Sequence, residues 1–147
     1  MVQDGQRADE ARTIFIIEDD ENNREFLGLA ITTETPYGVL LMGSCTEALA
    51  RLNEVQTIKP ALLLLDYRLP EMTGLEFYDC LHQTAGLENV PALLLTALPL
   101  AEEIKQALAE RSISVLYKPF QLDDLLGSIT QTIQFDSPLL ADTRQPV

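Results

Sequence analysis

The sequence has few cysteines, few basic residues and no long apolar run, and each shortage argues against a class of protein. Its two cysteines, Cys45 and Cys80, form neither a C-x-x-C pair nor a disulfide framework, and residues 1–12 are polar where a signal peptide would be apolar. Lys and Arg number 10 against 23 Asp and Glu, and the resulting formal charge of −13 disfavours direct nucleic-acid binding. No apolar run approaches the roughly 20 residues that cross a bilayer. We therefore expect a cytoplasmic protein without a membrane segment.

The chain has 147 residues, 46% of them hydrophobic, which suits one folded domain with short tails. Residues 1–12 are charged and unpatterned, and residues 136–147 contain prolines and little periodicity. The sequence therefore predicts a disordered N-terminal tail (1–12), a folded domain (13–135) and a weakly ordered C-terminal tail (136–147).

Within this domain, short apolar runs alternate with segments of helical periodicity. The apolar runs have the lengths of buried strands, and they lie at 14–17, 39–42, 61–65, 92–95 and 115–117. Segments with apolar residues three and four apart predict helices, and they lie at 22–32, 45–53, 74–83, 100–109 and 122–134. Strands that are apolar on both faces, each followed by a helix, predict an α/β fold with a parallel sheet covered on both sides.

Four consecutive acids, residues 18–21, follow the first predicted strand. Like charges this close repel one another unless a cation, a basic side chain or water relieves them. In a parallel α/β sheet, ligands bind beyond the carboxyl ends of the strands. Side chains that can carry chemistry end four of the predicted strands: Glu18 with Asp19, Asp66, Thr96 and Lys118.

These strand-end residues suit phosphoryl chemistry. Carboxylates in one crevice form a site for a hard cation, and Mg²⁺ is usually held by one or two carboxylates with water and phosphate oxygens. Asp66 can then act as a nucleophile toward a phosphoryl group, since carboxylates form aspartyl phosphates. Lys118 and Thr96 can balance the charge on the transferred group. The alternatives are a polar strand end for Asp66, a helix cap for Thr96 and a surface lysine for Lys118.

Four motifs, IIEDD, LLLLDYRLPEMTG, LLLTA and YKPF, occur in this order at four strand ends. Together they resemble the receiver domain of two-component response regulators, over almost the whole predicted domain. The resemblance implies a single-domain, doubly wound (βα)5 sandwich of the flavodoxin-like class, with a five-stranded parallel sheet in the order 2-1-3-4-5. It also implies Mg²⁺-dependent phosphorylation of Asp66, with signalling by conformational switching and partner docking.

The resemblance further implies a role for each matched position. Asp66 would be the phosphoacceptor, and Thr96 and Lys118 would contact the phosphoryl group. The implied Mg²⁺ ligands are Asp19 directly, Glu18 through metal-bound water, Asp66, and the backbone carbonyl of Arg68. Other implied features are the small neighbour Ala97, a cis peptide bond before Pro119, and the turn residues Pro70 and Gly74.

The implied partners are a sensor histidine kinase or histidine phosphotransfer protein and an unknown downstream protein. The downstream protein would dock on the face built by residues 100–134, which hold the fourth predicted helix, the fifth strand and the fifth predicted helix. The chain would be a monomer or a phosphorylation-dependent dimer. It would catalyse only its own aspartyl phosphorylation and dephosphorylation, so it is not expected to be an enzyme otherwise.

The sequence departs from the family pattern at three places. The acidic pair is Glu18–Asp19 rather than two aspartates, Val115 stands where a switch aromatic is usual, and Arg111–Ser112 replaces a usual Gly–Ala. Tyr117 faces the same way as Val115 along a strand, and whether it replaces that aromatic stays open. His82, the one histidine, is expected on the surface.

Two other functions stay open at this point. A receiver-fold scaffold could bind partners without phosphorylation, with the departures at Glu18 and Val115 as signs of drift. A haloacid-dehalogenase-like phosphatase also needs an Asp nucleophile and Mg²⁺, but that class has a second Asp two residues after the nucleophile, where this chain has Arg68.

Overall fold

The computed structural model describes residues 12–97 and 99–135. The predicted tails at 1–12 and 136–147 lie outside these residues, apart from Arg12, so they stay predictions. Within the described ranges no helix is both long enough and apolar enough to cross a membrane.

Among residues 12–97 and 99–135, five parallel strands form one sheet in the order β2-β1-β3-β4-β5, which confirms the predicted α/β fold and strand order. The strands begin and end within one residue of the predicted apolar runs: β1 (Thr13–Ile17), β2 (Gly38–Met42), β3 (Leu62–Asp66), β4 (Ala92–Thr96) and β5 (Ser114–Tyr117). The register is in phase, since Asp66 lies beside Leu95 and Thr96 beside Tyr117. The carboxyl ends of the strands therefore meet at one edge of the sheet, here called the rim.

In the described part of the chain, six helices connect and cover the strands: α1 (Glu21–Glu34), α2 (Cys45–Ala50), α3 (Leu52–Ile58), α4 (Gly74–His82), α5 (Glu102–Glu110) and α6 (Leu122–Phe135). The prediction of one helix at 45–53 is wrong, because the helix breaks at Arg51, whose φ of −115° and ψ of 27° are not helical. The Arg51 side chain bonds to Glu47 on one side of the break and to Glu54 on the other. A helix-period pattern continues through such a break, so the sequence pattern does not reveal it.

The sheet separates two apolar cores because side chains alternate along each strand. Phe15 and Ile17 of β1 point to the core under α2, α3, α4 and α5, whereas Ile14 and Ile16 point to the core under α1 and α6. All four of these side chains are at most 1% exposed. Each such burial contributes about 1.5–3 kcal/mol, so this double-sided core holds the rim in place.

His82 lies at the end of α4 that is far from the rim, as the sequence predicts. It is half-buried, and its two ring nitrogens lie 2.9 Å from the Tyr78 carbonyl oxygen and 2.7 Å from the Val90 carbonyl oxygen. Its ring also stacks on Tyr78 with a centroid separation of 3.7 Å. The last turn of α4 packs against the segment that leads into β4, and this contact covers the imidazole.

Candidate functional site

An ion pair at the rim joins two strands that are not neighbours. The Lys118 ammonium, which follows β5, donates to Asp66 Oδ2 at the end of β3, and the two atoms are 2.5 Å apart. The Lys118 side chain is 29% exposed and the Asp66 side chain 15%, so the pair is shielded but reachable from solvent. The other Asp66 oxygen, Oδ1, accepts the Arg68 N–H at 3.0 Å. Asp66 is therefore held in one orientation at the rim.

Glu18 lies at the rim directly after β1 and is 4% exposed. Its Oε2 accepts the Asp20 N–H at 3.1 Å. Burial raises the pKa of the Glu18 carboxyl, and the Asp20 hydrogen bond and the Lys118 charge oppose this, while Asp66 and Asp19 raise the pKa further. Because Lys118, Asp66 and Asp19 all act on Glu18, the strand-end charges that the sequence singles out form one electrostatic unit.

Thr96 completes this group from the strand between β3 and β5. It is 1% exposed, and its backbone carbonyl accepts the Lys118 N–H at 2.8 Å. The peptide bond between Lys118 and Pro119 is cis, which confirms the prediction. Tyr117 is 46% exposed and Val115 packs against the core under α5, so these two residues of β5 have different surroundings.

The loop from Asp66 to α4 approaches β3 so closely that only glycine fits at its end. The Gly74 N–H donates to the Tyr67 carbonyl at 2.7 Å. A Cβ atom at Gly74 would lie 2.9 Å from the Asp66 carbonyl oxygen and 2.7 Å from Leu94 Cδ1. Thr73 begins α4 with a reciprocal capping box to Glu76. The capped helix and the glycine together fix the backbone that carries Asp66.

The donor atoms at the rim suit a hard cation. Among the residues that the structure describes, no three or more His, Cys, Asp or Glu are arranged as a metal site. Mg²⁺ does not require such a cluster, since one or two carboxylates with water and phosphate oxygens suffice. The expected ligands, the carboxylates of Glu18, Asp19 and Asp66 and the Arg68 carbonyl, are all oxygen donors. The chemistry of this donor set therefore fits Mg²⁺.

An apolar cavity opens beside the rim and was not expected from the sequence. Its volume is about 320 Å³, and besides Glu18 and Lys118 it is lined by Asn23, Phe26, Leu27, Leu95, Pro119 and Phe120. Phe26 is 55% exposed, and Leu29, one turn further along α1, is 68% exposed. Phe26 and Leu29 lie outside the buried face of α1, which includes Leu27 and Ile31. Large apolar residues at positions off the helix's apolar face were the signal in the sequence that could have predicted this exposed patch.

Arg24 also belongs to the site, although sequence reasoning did not single it out. It is half-buried, and its Nη1 donates to the backbone carbonyl of Glu18 at 2.8 Å. An arginine in the second turn of a surface helix has no sequence signal for this contact, which depends on how α1 packs beside the end of β1.

Comparisons with known proteins agree with the fold. A family model described as the response regulator receiver domain matches residues 14–130. The chain is 27% identical over 132 residues to the phosphate regulon transcriptional regulatory protein PhoB of Klebsiella pneumoniae. This alignment covers 90% of this chain and 56% of that protein. It is 29% identical over 130 residues to the response regulator protein TmoT of Ectopseudomonas mendocina, covering 86% of this chain and 54% of that protein.

The chain spans about half the length of these curated relatives. Among solved structures, the chemotaxis protein CheY4 of Vibrio cholerae superposes with a TM-score of 0.71 at 24% identity, covering 82% of this chain and 98% of that chain. At this identity the likeness supports the fold alone.

Proposed function

The chain belongs to the response regulator receiver domain family, and from that premise we propose that it accepts a phosphoryl group on Asp66 in a Mg²⁺-dependent reaction. The donor is a sensor histidine kinase or a histidine phosphotransfer protein in the cytoplasm. The observation that carries this proposal is the contact of Lys118 Nζ with Asp66 Oδ2 at the rim. A nucleophilic carboxylate with an ammonium beside it is the arrangement that phosphoryl transfer to an aspartate requires.

In the proposed reaction, an Asp66 carboxylate oxygen attacks the phosphorus of a phosphohistidine. The new O–P bond forms as the P–N bond breaks, and the electron pair of the P–N bond remains on the donor's imidazole. Lys118 and the Thr96 hydroxyl balance the charge on the phosphoryl oxygens, and bound Mg²⁺ supplies further neutralisation. Glu18, Asp19, Asp66 and the Arg68 carbonyl would hold the ion. Beyond this self-phosphorylation and its reversal, no enzymatic turnover is proposed.

The surface around the rim suits docking of the phosphodonor. Phe26 and Leu29 expose apolar area on α1 next to the cavity that Glu18 and Lys118 line. Exposed apolar patches of this kind mark interaction sites, and a donor bound there would have its phosphohistidine close to Asp66. The downstream partner, or a second copy after phosphorylation, would dock on the face formed by α5, β5 and α6.

Phosphorylation can bias the fold only through groups that contact the added charge. Lys118 now pairs with Asp66, so a phosphoryl group on Asp66 gives the ammonium a new partner. Thr96 ends β4, and β4 leads directly toward α5. We propose that these two residues pass the change to the face formed by α5, β5 and α6.

Incubation with acetyl phosphate and Mg²⁺, followed by intact mass spectrometry, tests the proposal. We expect a mass increase of about 80 Da that Asp66→Asn abolishes and the matched control Asp123→Asn retains. Absence of the adduct at saturating donor would refute phosphorylation and leave a scaffold role. Steady turnover of a phosphomonoester at ordinary enzyme rates would instead indicate a phosphatase.

A further inference from the structure

The backbone of the acidic pair, Glu18 and Asp19, is hydrogen-bonded by Arg24, which takes no direct part in the proposed reaction. Arg24 Nη1 donates to the Glu18 carbonyl oxygen at 2.8 Å, and this bond is partly buried. The Glu18 N–H donates to the Met42 carbonyl at 3.1 Å, so Glu18 is tied to the end of β2 as well. These two hydrogen bonds to the Glu18 backbone thus set where the chain leaves β1.

The bonded carbonyl belongs to the peptide unit that joins Glu18 to Asp19. Peptide units are planar, so holding this C=O also holds the antiparallel N–H of Asp19 and restrains the backbone from which Asp19 projects. A guanidinium is a rigid planar donor, and lysine offers only a mobile point charge in its place. The orientation of the acidic pair therefore depends on the guanidinium and not merely on a positive charge.

The space that the guanidinium occupies depends on Gly43, the residue that follows β2. A Cβ atom there would lie 3.1 Å from Arg24 Nη1, 3.7 Å from Cζ and 3.9 Å from Glu47 Oε1. Gly43 lies outside the left-handed backbone region, so space, and not backbone conformation, favours glycine. Glu47 Oε1 accepts the Gly43 N–H at 3.0 Å and closes the other side of this space.

We propose that Arg24 is a positioning residue for the acidic pair, held in the space that Gly43 leaves open, and that it thereby sets the affinity of the rim for Mg²⁺. This inference rests on the proposed function. Outer-shell groups that orient metal ligands typically change metal affinity by 10-fold to 100-fold when they are removed. Charge alone would act in the opposite direction, because a nearby cation repels Mg²⁺.

The test uses Arg24→Lys, Arg24→Gln and Gly43→Ala, with Gly38→Ala as the matched control at the other end of β2. A Cβ at Gly38 has its nearest described neighbour, the Arg12 carbonyl oxygen, at 4.0 Å. The Mg²⁺ dissociation constant is measured without phosphodonor, from the Mg²⁺-dependent shift of amide resonances at the rim. Urea unfolding without Mg²⁺ is measured alongside, so that lost stability is separated from lost positioning.

We expect the Mg²⁺ dissociation constant to rise about tenfold in both Arg24 variants, to rise less in Gly43→Ala, and to stay within twofold of the wild-type value in Gly38→Ala. Tighter binding in Arg24→Gln would overturn the inference in favour of a charge effect. Unchanged binding in the test variants, with wild-type phosphorylation intact, would overturn it outright.

Failure of the proposed function has a different outcome in the same experiments. Wild-type protein that binds Mg²⁺ but gains no phosphoryl group would refute phosphorylation, while weakened binding in the three variants would still support the role of Arg24. Gly43→Ala changes no charge and no hydrogen-bonding side chain, so a raised Mg²⁺ dissociation constant in this variant supports the positioning role even if the Arg24 variants do not fold.

Discussion

Replacing Gly74 with alanine should destabilise the folded protein, because the added methyl group would clash with neighbouring atoms. The added Cβ would lie 2.7 Å from Leu94 Cδ1, where carbon atoms pack best at about 3.5–4.0 Å, and 2.9 Å from the Asp66 carbonyl oxygen. The leucine can turn aside, but the carbonyl belongs to the backbone at the end of β3. The loop that carries Asp66 would have to move.

Two opposing terms set the expected magnitude. Forcing an extra methyl group into a packed site costs about 1–3 kcal/mol. Replacing glycine with alanine also lowers the conformational entropy of the unfolded chain, which stabilises the folded state by about 0.4–1 kcal/mol. The net loss should be roughly 1–2 kcal/mol, with a fall in Tm on the order of 5 °C for a domain of this size.

Gly127 provides the matched control for this substitution. It lies in α6, and a Cβ there would meet none of the described atoms within 4 Å. Gly127→Ala should therefore stabilise the protein by about 0.5–1 kcal/mol through helix propensity alone. Urea unfolding of the two variants, compared at equal m-values, measures both effects. A Gly74→Ala protein as stable as the wild type would refute the close-approach argument.

Three further predictions concern Cys45 and the contact between Arg111 and Asp79. Burial raises the pKa of the Cys45 thiol to about 12, with smaller contributions from Glu71 and Cys80. Iodoacetamide at pH 8 should therefore label the exposed Cys80 and leave Cys45 unmodified. Comparable labelling of both cysteines would contradict this prediction. Since the folded pKa lies above the ordinary 9.0, Cys45 favours folding below pH 9 and loses this contribution as the pH rises toward 12, so Cys45→Ala should flatten the pH dependence of stability over that window. Arg111 donates two hydrogen bonds, of 2.8 and 3.0 Å, to the Asp79 carboxylate. Because the two side chains are 31% and 42% exposed, solvent screens this ion pair. A double-mutant cycle with Arg111→Gln and Asp79→Asn should therefore give a coupling free energy of only about 0.5 kcal/mol, which added salt weakens. A coupling above 2 kcal/mol would show that solvent screens this pair far less than its exposure implies.

The contact between Arg111 and Asp79 also explains what one departure from the family pattern does. Arg111 ends α5, and its guanidinium bonds to Asp79 on α4 and to the Ala107 carbonyl. The Tyr78 hydroxyl donates to the Arg111 carbonyl at 3.3 Å. A glycine at this position would lack the guanidinium, so the arginine adds an ion pair with Asp79 that connects α4 to α5. Ser112 follows with a φ of 59°, a conformation that glycine adopts more readily.

Much of the fold could be predicted because the strands are short, apolar and ended by polar residues. The run ALLLLD places four buried leucines before Asp66, and the observed strand ends at that residue. An apolar run of this length has to lie inside a covered sheet, and parallel strands with in-phase register bring their last residues to one edge. The positions of Glu18, Thr96 and Lys118 follow from the same reasoning.

The details that could not be predicted all depend on how separate elements approach one another. The break at Arg51 reflects ion pairs to Glu47 and Glu54 that a periodic pattern does not contain. His82 is covered because the end of α4 packs against the segment before β4, and Phe26 is exposed because α1 turns Leu27 toward the sheet. Each is a property of a contact surface and not of a local run of residues.

By itself, the sequence determined which residues end the strands, since hydrophobic runs and their polar last residues are local features of the chain. Only the tertiary structure decided which of these residues touch. Strand β4 lies between β3 and β5, so Lys118 has to extend past the end of β4 to reach Asp66. Its backbone is fixed by the Thr96 carbonyl and its long side chain spans the intervening strand. The order of strands in the sheet, which no single segment specifies, creates the pair at the centre of the site.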